Sequence, residues 1–204
     1  MMRLHVGPIP VSDSFCPQSA GWKQLREPAA WITMLLSLPI VFLAASWLGL
    51  IWFALWPSLA GLTFEAQSPM QPWATLIALP AGVLLLILIH ELLHASATPQ
   101  FGSSPATVLG FWPSLGAFYA HYDGEVSRNR FILVLLVPFT IISVVPLFLS
   151  AIIGWQSRIA ALCSVLNALF SSADLLGAVL ILAQVPSGAR VRNQGWATWW
   201  RSGE

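Results

Sequence analysis

From 29 to 56 the chain carries no charged side chain, and this run fixes more about the fold than any other feature. Crossing a hydrocarbon core of about 30 Å takes about 20 apolar residues as a helix, so the run is long enough to span a bilayer. Three more stretches follow. Residues 73–97 stay apolar until His90, Glu91 and His94; residues 131–155 are uncharged; residues 159–184 are interrupted by one acid, Asp174. With 57% hydrophobic and 8% charged residues, the rest of the chain could not clothe a soluble domain of this size. A net charge of +1 offers no basic field for nucleic acid. Cys16 and Cys163 have no metal-like spacing, and no disulfide framework is expected.

These runs predict an all-α membrane protein of four transmembrane helices, with spans at about 29–56, 73–97, 131–155 and 159–184 in one domain, 29–185. The basic residues set the orientation. Lys23 and Arg26 precede the first span, Arg128 and Arg130 lie between the second and third, and Arg190, Arg192 and Arg201 follow the fourth, while the opposite loops hold Arg158. The excess of Lys and Arg belongs on the cytoplasmic side, so both termini and the segment 98–130 are expected there. The plasma membrane of a prokaryote is the expected location. The tail 1–28 holds Pro8, Pro10, Pro17 and Pro28 but no apolar core before a cleavage site, so it is expected to stay attached. The tail 186–204 alternates arginine with Trp196, Trp199 and Trp200 and reads as a segment lying at the headgroup level. Within the loop between the second and third spans, 107–112 and 117–122 are rich in aromatic and β-favouring residues and flank Pro113-Ser114-Leu115-Gly116. That pattern predicts a β-hairpin in the cytoplasmic loop, packed against the helices.

His90-Glu91-Leu92-Leu93-His94 is an HExxH sequence. Residues four apart on a helix lie about 40° from each other around its axis, so both imidazoles can reach one ion. Glu91 sits beside them, able to take a proton from a water that the ion activates without being a ligand. Ionisable groups inside a span are costly unless paired, coordinated or hydrated, and three within five residues call for a function. The plainer reading is a pair of interfacial histidines with a hydrated glutamate, which leaves their spacing unexplained.

Catalytic zinc takes three protein ligands and keeps one position open, so a third ligand is needed. The candidates are Asp174 and His121. At about 1.5 Å per residue, His90 lies about 10–12 Å inside the cytoplasmic end of its span and Asp174 about 14–17 Å inside its own, so the two can be level. Ser171, Ser172, Ala173 and Gly177 around Asp174 allow close helix approach. His121 would be carried on the hairpin, where an interfacial role is the alternative. Asn167, two turns before Asp174, could hold a substrate backbone or make a plain interhelical hydrogen bond.

Three stretches carry a family resemblance: Ile89 to Ala95 around HExxH, Asp123-Gly124-Glu125-Val126-Ser127-Arg128-Asn129-Arg130-Phe131 leading to Val137-Pro138, and Ser171-Ser172-Ala173-Asp174-Leu175-Leu176-Gly177. Together they resemble the putative zincin peptidases, small multi-span proteins similar to site-2 proteases, over roughly residues 80–185. The resemblance implies His90, His94 and Asp174 as ligands of one Zn2+ and Glu91 as the catalytic base. In the site-2 pattern a proline separates the Asn from the Asp and a Gly directly follows the Asp. Here no proline separates Asn167 from Asp174, and Gly177 comes three residues later.

The expected function is a zinc-dependent, membrane-embedded endopeptidase that cleaves a membrane protein or peptide substrate. Two alternatives stand beside it: a non-catalytic metal-binding membrane regulator, which would need the ligands but not Glu91, and an ion transporter, for which four short helices leave little room.

Overall fold

The structure is a computed structural model that describes residues 1–17, 21–61 and 71–203. Positions 18–20 of the N-terminal tail, 62–70 between the first two spans, and residue 204 lie outside the described residues. In chain order the elements are strand β1 (Arg3–Val6), strand β2 (Lys23–Gln24), helix α1 (Ala30–Leu55), helix α2 (Gln71–Ala97), strands β3 (Thr107–Trp112), β4 (Ala117–Tyr122) and β5 (Val126–Ser127), helices α3 (Arg128–Pro138), α4 (Val145–Ile153), α5 (Arg158–Phe170) and α6 (Ser172–Gln184), and strands β6 (Arg190–Gln194) and β7 (Ala197–Arg201).

The expected all-α, four-span architecture is not the one adopted. Among the described residues, three helical stretches are individually long and apolar enough to cross a membrane: Leu35–Leu55, Leu76–Ala97 and Arg128–Ile153. The fourth run is the pair α5 and α6, bent by 53° at their junction. Strands also form two sheets, one in the order β1-β3-β4 and one in the order β2-β7-β6-β5. The β3–β4 hairpin is present, but within a three-stranded sheet in which β1 runs parallel to β3. Both tails contribute strands. β2 pairs with β7, and β6 bridges β7 to β5, so the two ends of the chain close one sheet beside the start of α3.

The helices bury small and apolar residues against each other and turn apolar residues outward. Leu48 and Trp52 of α1 pack with Leu147 of α4 and with Ala161 and Ala168 of α5. Leu36, Phe42, Leu43 and Leu50 on α1, Leu84 and Leu85 on α2, and Phe148 and Ile152 on α4 are exposed. A helix apolar on all faces suits lipid rather than water. A second cluster, Leu25, Ile181, Val185, Ala189 and Val191, joins α6 to the sheet of chain ends.

The third span is interrupted where its prolines fall. Residues Phe139–Val144 between α3 and α4 form a π-helical stretch. Ser143 there donates to the Ser164 carbonyl of α5 at 2.8 Å, and Ser164 donates back to the Ser143 carbonyl at 2.8 Å. Both serines are fully buried. The small hydroxyl groups satisfy each other's helix and hold the π-helical segment against α5.

Candidate metal centre

His90 and His94 sit one turn apart near the end of α2, and Asp174 lies in the first turn of α6. The bend between α5 and α6 puts the acid there. Ser171 ends α5 and is fully buried, and the helix restarts in a new direction at Ser172, without any proline. His90 Nε2 lies 3.2 Å and His94 Nε2 3.3 Å from Asp174 Oδ2, and the two Nε2 atoms are 3.1 Å apart. Among the described residues, these three form the group of His, Cys, Asp or Glu able to hold a metal ion.

The remaining ring nitrogens fix what the group offers. His94 Nδ1–H donates to the Val134 carbonyl at 2.7 Å. That carbonyl is free for a reason written in the sequence: its helical partner would be the N–H of residue 138, and Pro138 has none. His90 Nδ1–H donates to Asn167 Oδ1 at 2.8 Å. Asn167 is fully buried, and its Nδ2 donates to the Pro138 carbonyl, Ser143 Oγ and Ser171 Oγ at 3.1, 3.0 and 3.3 Å, so its oxygen must face the histidine. Nδ1 of each ring is thereby committed as a donor, and Nε2 is the nitrogen that each imidazole turns towards the carboxylate. Two imidazole nitrogens and a carboxylate oxygen converge on one point, an arrangement that is relieved by a cation between them, a proton or a metal ion.

The spacing fits a tetrahedral ion. Donors about 2.0–2.1 Å from a tetrahedral centre lie about 3.3–3.4 Å from each other, close to the triangle found here. Glu91 stands outside that triangle. It lines the same cavity as the three residues, with its carboxylate beside the Ala120 backbone N–H of β4. β4 is bonded to β3 on one side, and no strand borders its other side among the described residues. Since backbone groups alternate between the two sides of an antiparallel strand, Phe118 and Tyr122 present theirs to the same open edge as Ala120.

The cavity has a volume of about 340 Å3 and runs between this edge and α3 and α6. Phe131, Val134, Leu135 and Phe170 make its apolar wall. Helices α2 and α3 are fastened to each other by Arg130, whose guanidinium donates to the Ala97 and Thr98 carbonyls at 2.5 and 2.9 Å and so satisfies the end of α2.

The chain matches, over residues 83–190, the family described as putative zincin peptidase. The match covers more than half of the chain. This protein belongs to the putative zincin peptidase family. The family points to a zinc metallopeptidase, and His90, His94 and Asp174 supply a group that could hold the metal. Neither the curated proteins nor the solved structures contain a match.

His121, the other candidate ligand, is not brought to this group. It is buried in β4 opposite Val108, beside Asp123, Arg192 and Arg3. Asn167 is at the site through His90, as an interhelical hydrogen bond. Sequence reasoning gave no role to Val134. Pro138, which has no N–H, frees the carbonyl four residues earlier, a signal available from spacing alone.

Proposed function

We propose that this zincin-family protein is a membrane-embedded zinc endopeptidase acting on an extended segment of a membrane protein or peptide. The observation that carries the reading is the convergence of His90 Nε2, His94 Nε2 and Asp174 Oδ2 in one cavity with Glu91. His90, His94 and Asp174 would hold the ion, and a bound zinc supplies an acidified water and a Lewis acid for the scissile carbonyl. Glu91 takes the proton of the attacking water and returns it to the leaving amine. Asn167 and the Val134 carbonyl keep the two rings turned inward, and the apolar wall keeps bulk water from competing.

A peptide bond inside a substrate helix is shielded by its own turn, so the substrate must be extended where it is cut. The open edge of β4 offers the backbone partners for that, with Ala120 beside Glu91, and an added strand there would lay its carbonyls along the site. We place the termini and both sheets on the cytoplasmic side of a prokaryotic plasma membrane, from the distribution of Lys and Arg.

Glu91→Gln should keep near-stoichiometric zinc while losing cleavage of single-span substrates by on the order of 10^2–10^4-fold, and a chelator should abolish wild-type cleavage. Unchanged turnover in the variant would remove Glu91 from the chemistry. Metal binding by wild type with no cleavage of any membrane substrate would favour the regulator. For orientation, Gln156→Cys should react with an impermeant reagent in intact cells and Ser187→Cys only after permeabilisation; the reverse pattern inverts the topology.

A further inference from the structure

The N-terminal segment following β1 does not leave the molecule but crosses the end of the cavity. Gly7 N–H donates to the Phe111 carbonyl at 2.9 Å, and the chain then turns out of the sheet at Gly7, whose φ is 136°. The Tyr119 hydroxyl donates to the Gly7 and Pro8 carbonyls, each at 3.2 Å. Tyr119 reaches them by lying over Gly110 on the neighbouring strand, where any side chain would overlap its ring. One residue on, Ile9 lines the same cavity as His90, Glu91, His94 and Asp174, in company with Trp112, Leu115 and Trp196. The segment is then fastened again. Gln194 Nε2 donates to the Ser12 carbonyl at 3.0 Å, and Ser12 N–H donates to Gln194 Oε1 at 3.4 Å.

From these contacts we infer that residues 7–12 form an autoinhibitory strap whose Ile9 fills the outer subsite of the substrate cleft. The inference rests on the peptidase reading above. A strand added along β4 from Tyr122 towards Ala117 would end at the part of the cavity that Ile9 shares with Trp112, Leu115 and Ala117, so the strap and the far end of a substrate would compete for that space. The strap is suited to block without being taken as a strand. Pro8 and Pro10 have no N–H and cannot extend a ladder, and Pro10 favours an extended backbone at Ile9. Ile9 also marks what the subsite takes: an apolar, β-branched side chain in an extended backbone, among two tryptophans and a leucine. Beyond the Gly7–Phe111 bond at its start, the strap is fastened to the fold by one tyrosine hydroxyl shared between two carbonyls and by one amide pair, few enough for it to open locally while the helices stay folded.

The test uses the full chain in detergent, with Cys16→Ser and Cys163→Ala, and two independent ways of changing the strap. A Cβ at Gly195 would lie 3.4 Å from Val11 Cγ2, so Val11→Cys with Gly195→Cys can be joined by oxidation to hold the strap shut. Tyr119→Phe removes its hydroxyl fastenings instead. Each is read by cleavage of a single-span substrate and by the rate at which a chelator strips bound zinc, which needs no catalysis. Oxidation should lower both rates several-fold, reversibly with reductant, and Tyr119→Phe should raise both by about 3–10-fold. Equal cleavage by closed, reduced and Tyr119→Phe forms of an active enzyme would overturn the strap. So would equal zinc release by all three, whether or not they cleave. If nothing is cleaved by any form while zinc release follows the strap as expected, the strap stands and the peptidase reading falls.

Discussion

The candidate metal centre and the sheets that cover it are built by opposite means. The centre joins residues from α2, α3, α5 and α6, each fixed by a local rule: a four-residue helical spacing for His90 and His94, a missing N–H for Val134, a helix restart for Asp174. The sheets join the two ends of the chain, with Arg3 opposite Val108 and Lys23 opposite Trp200. The first region is held by buried polar groups with few alternatives, the second by strand pairings that close very long loops. Their difference says where the protein can tolerate movement: the candidate ligands sit in the part held by local rules, while the strap belongs to the part held by long-range ones.

The sharpest way to break that division is to exchange the two candidates for the third ligand. Asp174→Asn, within the helices, should lower zinc affinity by more than the 10–100-fold typical of losing a supporting partner, since a neutral amide is a poorer donor and the cation loses a compensating charge. His121→Ala, in the sheet, should leave zinc content nearly intact. Zinc content of the monodisperse purified variants decides it. Loss of metal from His121→Ala with retention in Asp174→Asn would move the site into the sheet. Loss in both would describe a closed four-ligand site, with no position left for water.

A smaller effect is expected from the groups that aim the rings. Asn167→Ala removes the acceptor for His90 Nδ1–H and should weaken zinc binding by about 10–100-fold. Pro138→Ala supplies an N–H that competes with His94 for the Val134 carbonyl and should cost up to about 10-fold, with the helix becoming more regular. Competitive titration with a zinc-binding dye would measure both. Unaltered affinity in Pro138→Ala would mean that the proline serves the π-helical segment alone and leaves His94 indifferent to it.

These two variants also show what a sequence can and cannot disclose. HExxH and the hairpin were legible because each depends on neighbours within a few residues. The position of Asp174 was legible in depth but not in mechanism, because the bend that turns it inward occurs at Ser171, a residue with no breaker character of its own. The strands at the chain ends were not legible for a physical reason. Alternating arginine and aromatic residues suit a segment at a membrane surface and a half-buried strand equally well, and Val191 and Thr198 are in fact buried in the sheet. Nothing local tells residues 3–6 that their partner lies a hundred positions away.

The smallest effect concerns the sheet region alone. His121 is buried, and burial holds its imidazole below the ordinary histidine value; Arg192 and Arg3 push the same way, while Asp123 opposes them. Asp123 is itself engaged by Arg192 at 2.9 Å and faces Arg3 at 3.9 Å, so its opposition is shared out. In the folded chain His121 stays neutral to a lower pH than in the unfolded chain, where it titrates near 6.5. Below that pH the unfolded state binds a proton that the folded state refuses. The stability due to neutral His121 is therefore complete above about pH 6.5 and is lost as the pH falls towards the folded value, at a rate of at most about 1.4 kcal/mol per pH unit. Thermal unfolding of zinc-free wild type and His121→Gln at pH 7.5 and pH 5.5 isolates this contribution, because every other side chain is common to both. Wild type should lose more of its midpoint on acidification than the variant. Equal losses would mean that the sheet opens before His121 is protonated, which would make the covering region looser still than the comparison with the metal centre implies.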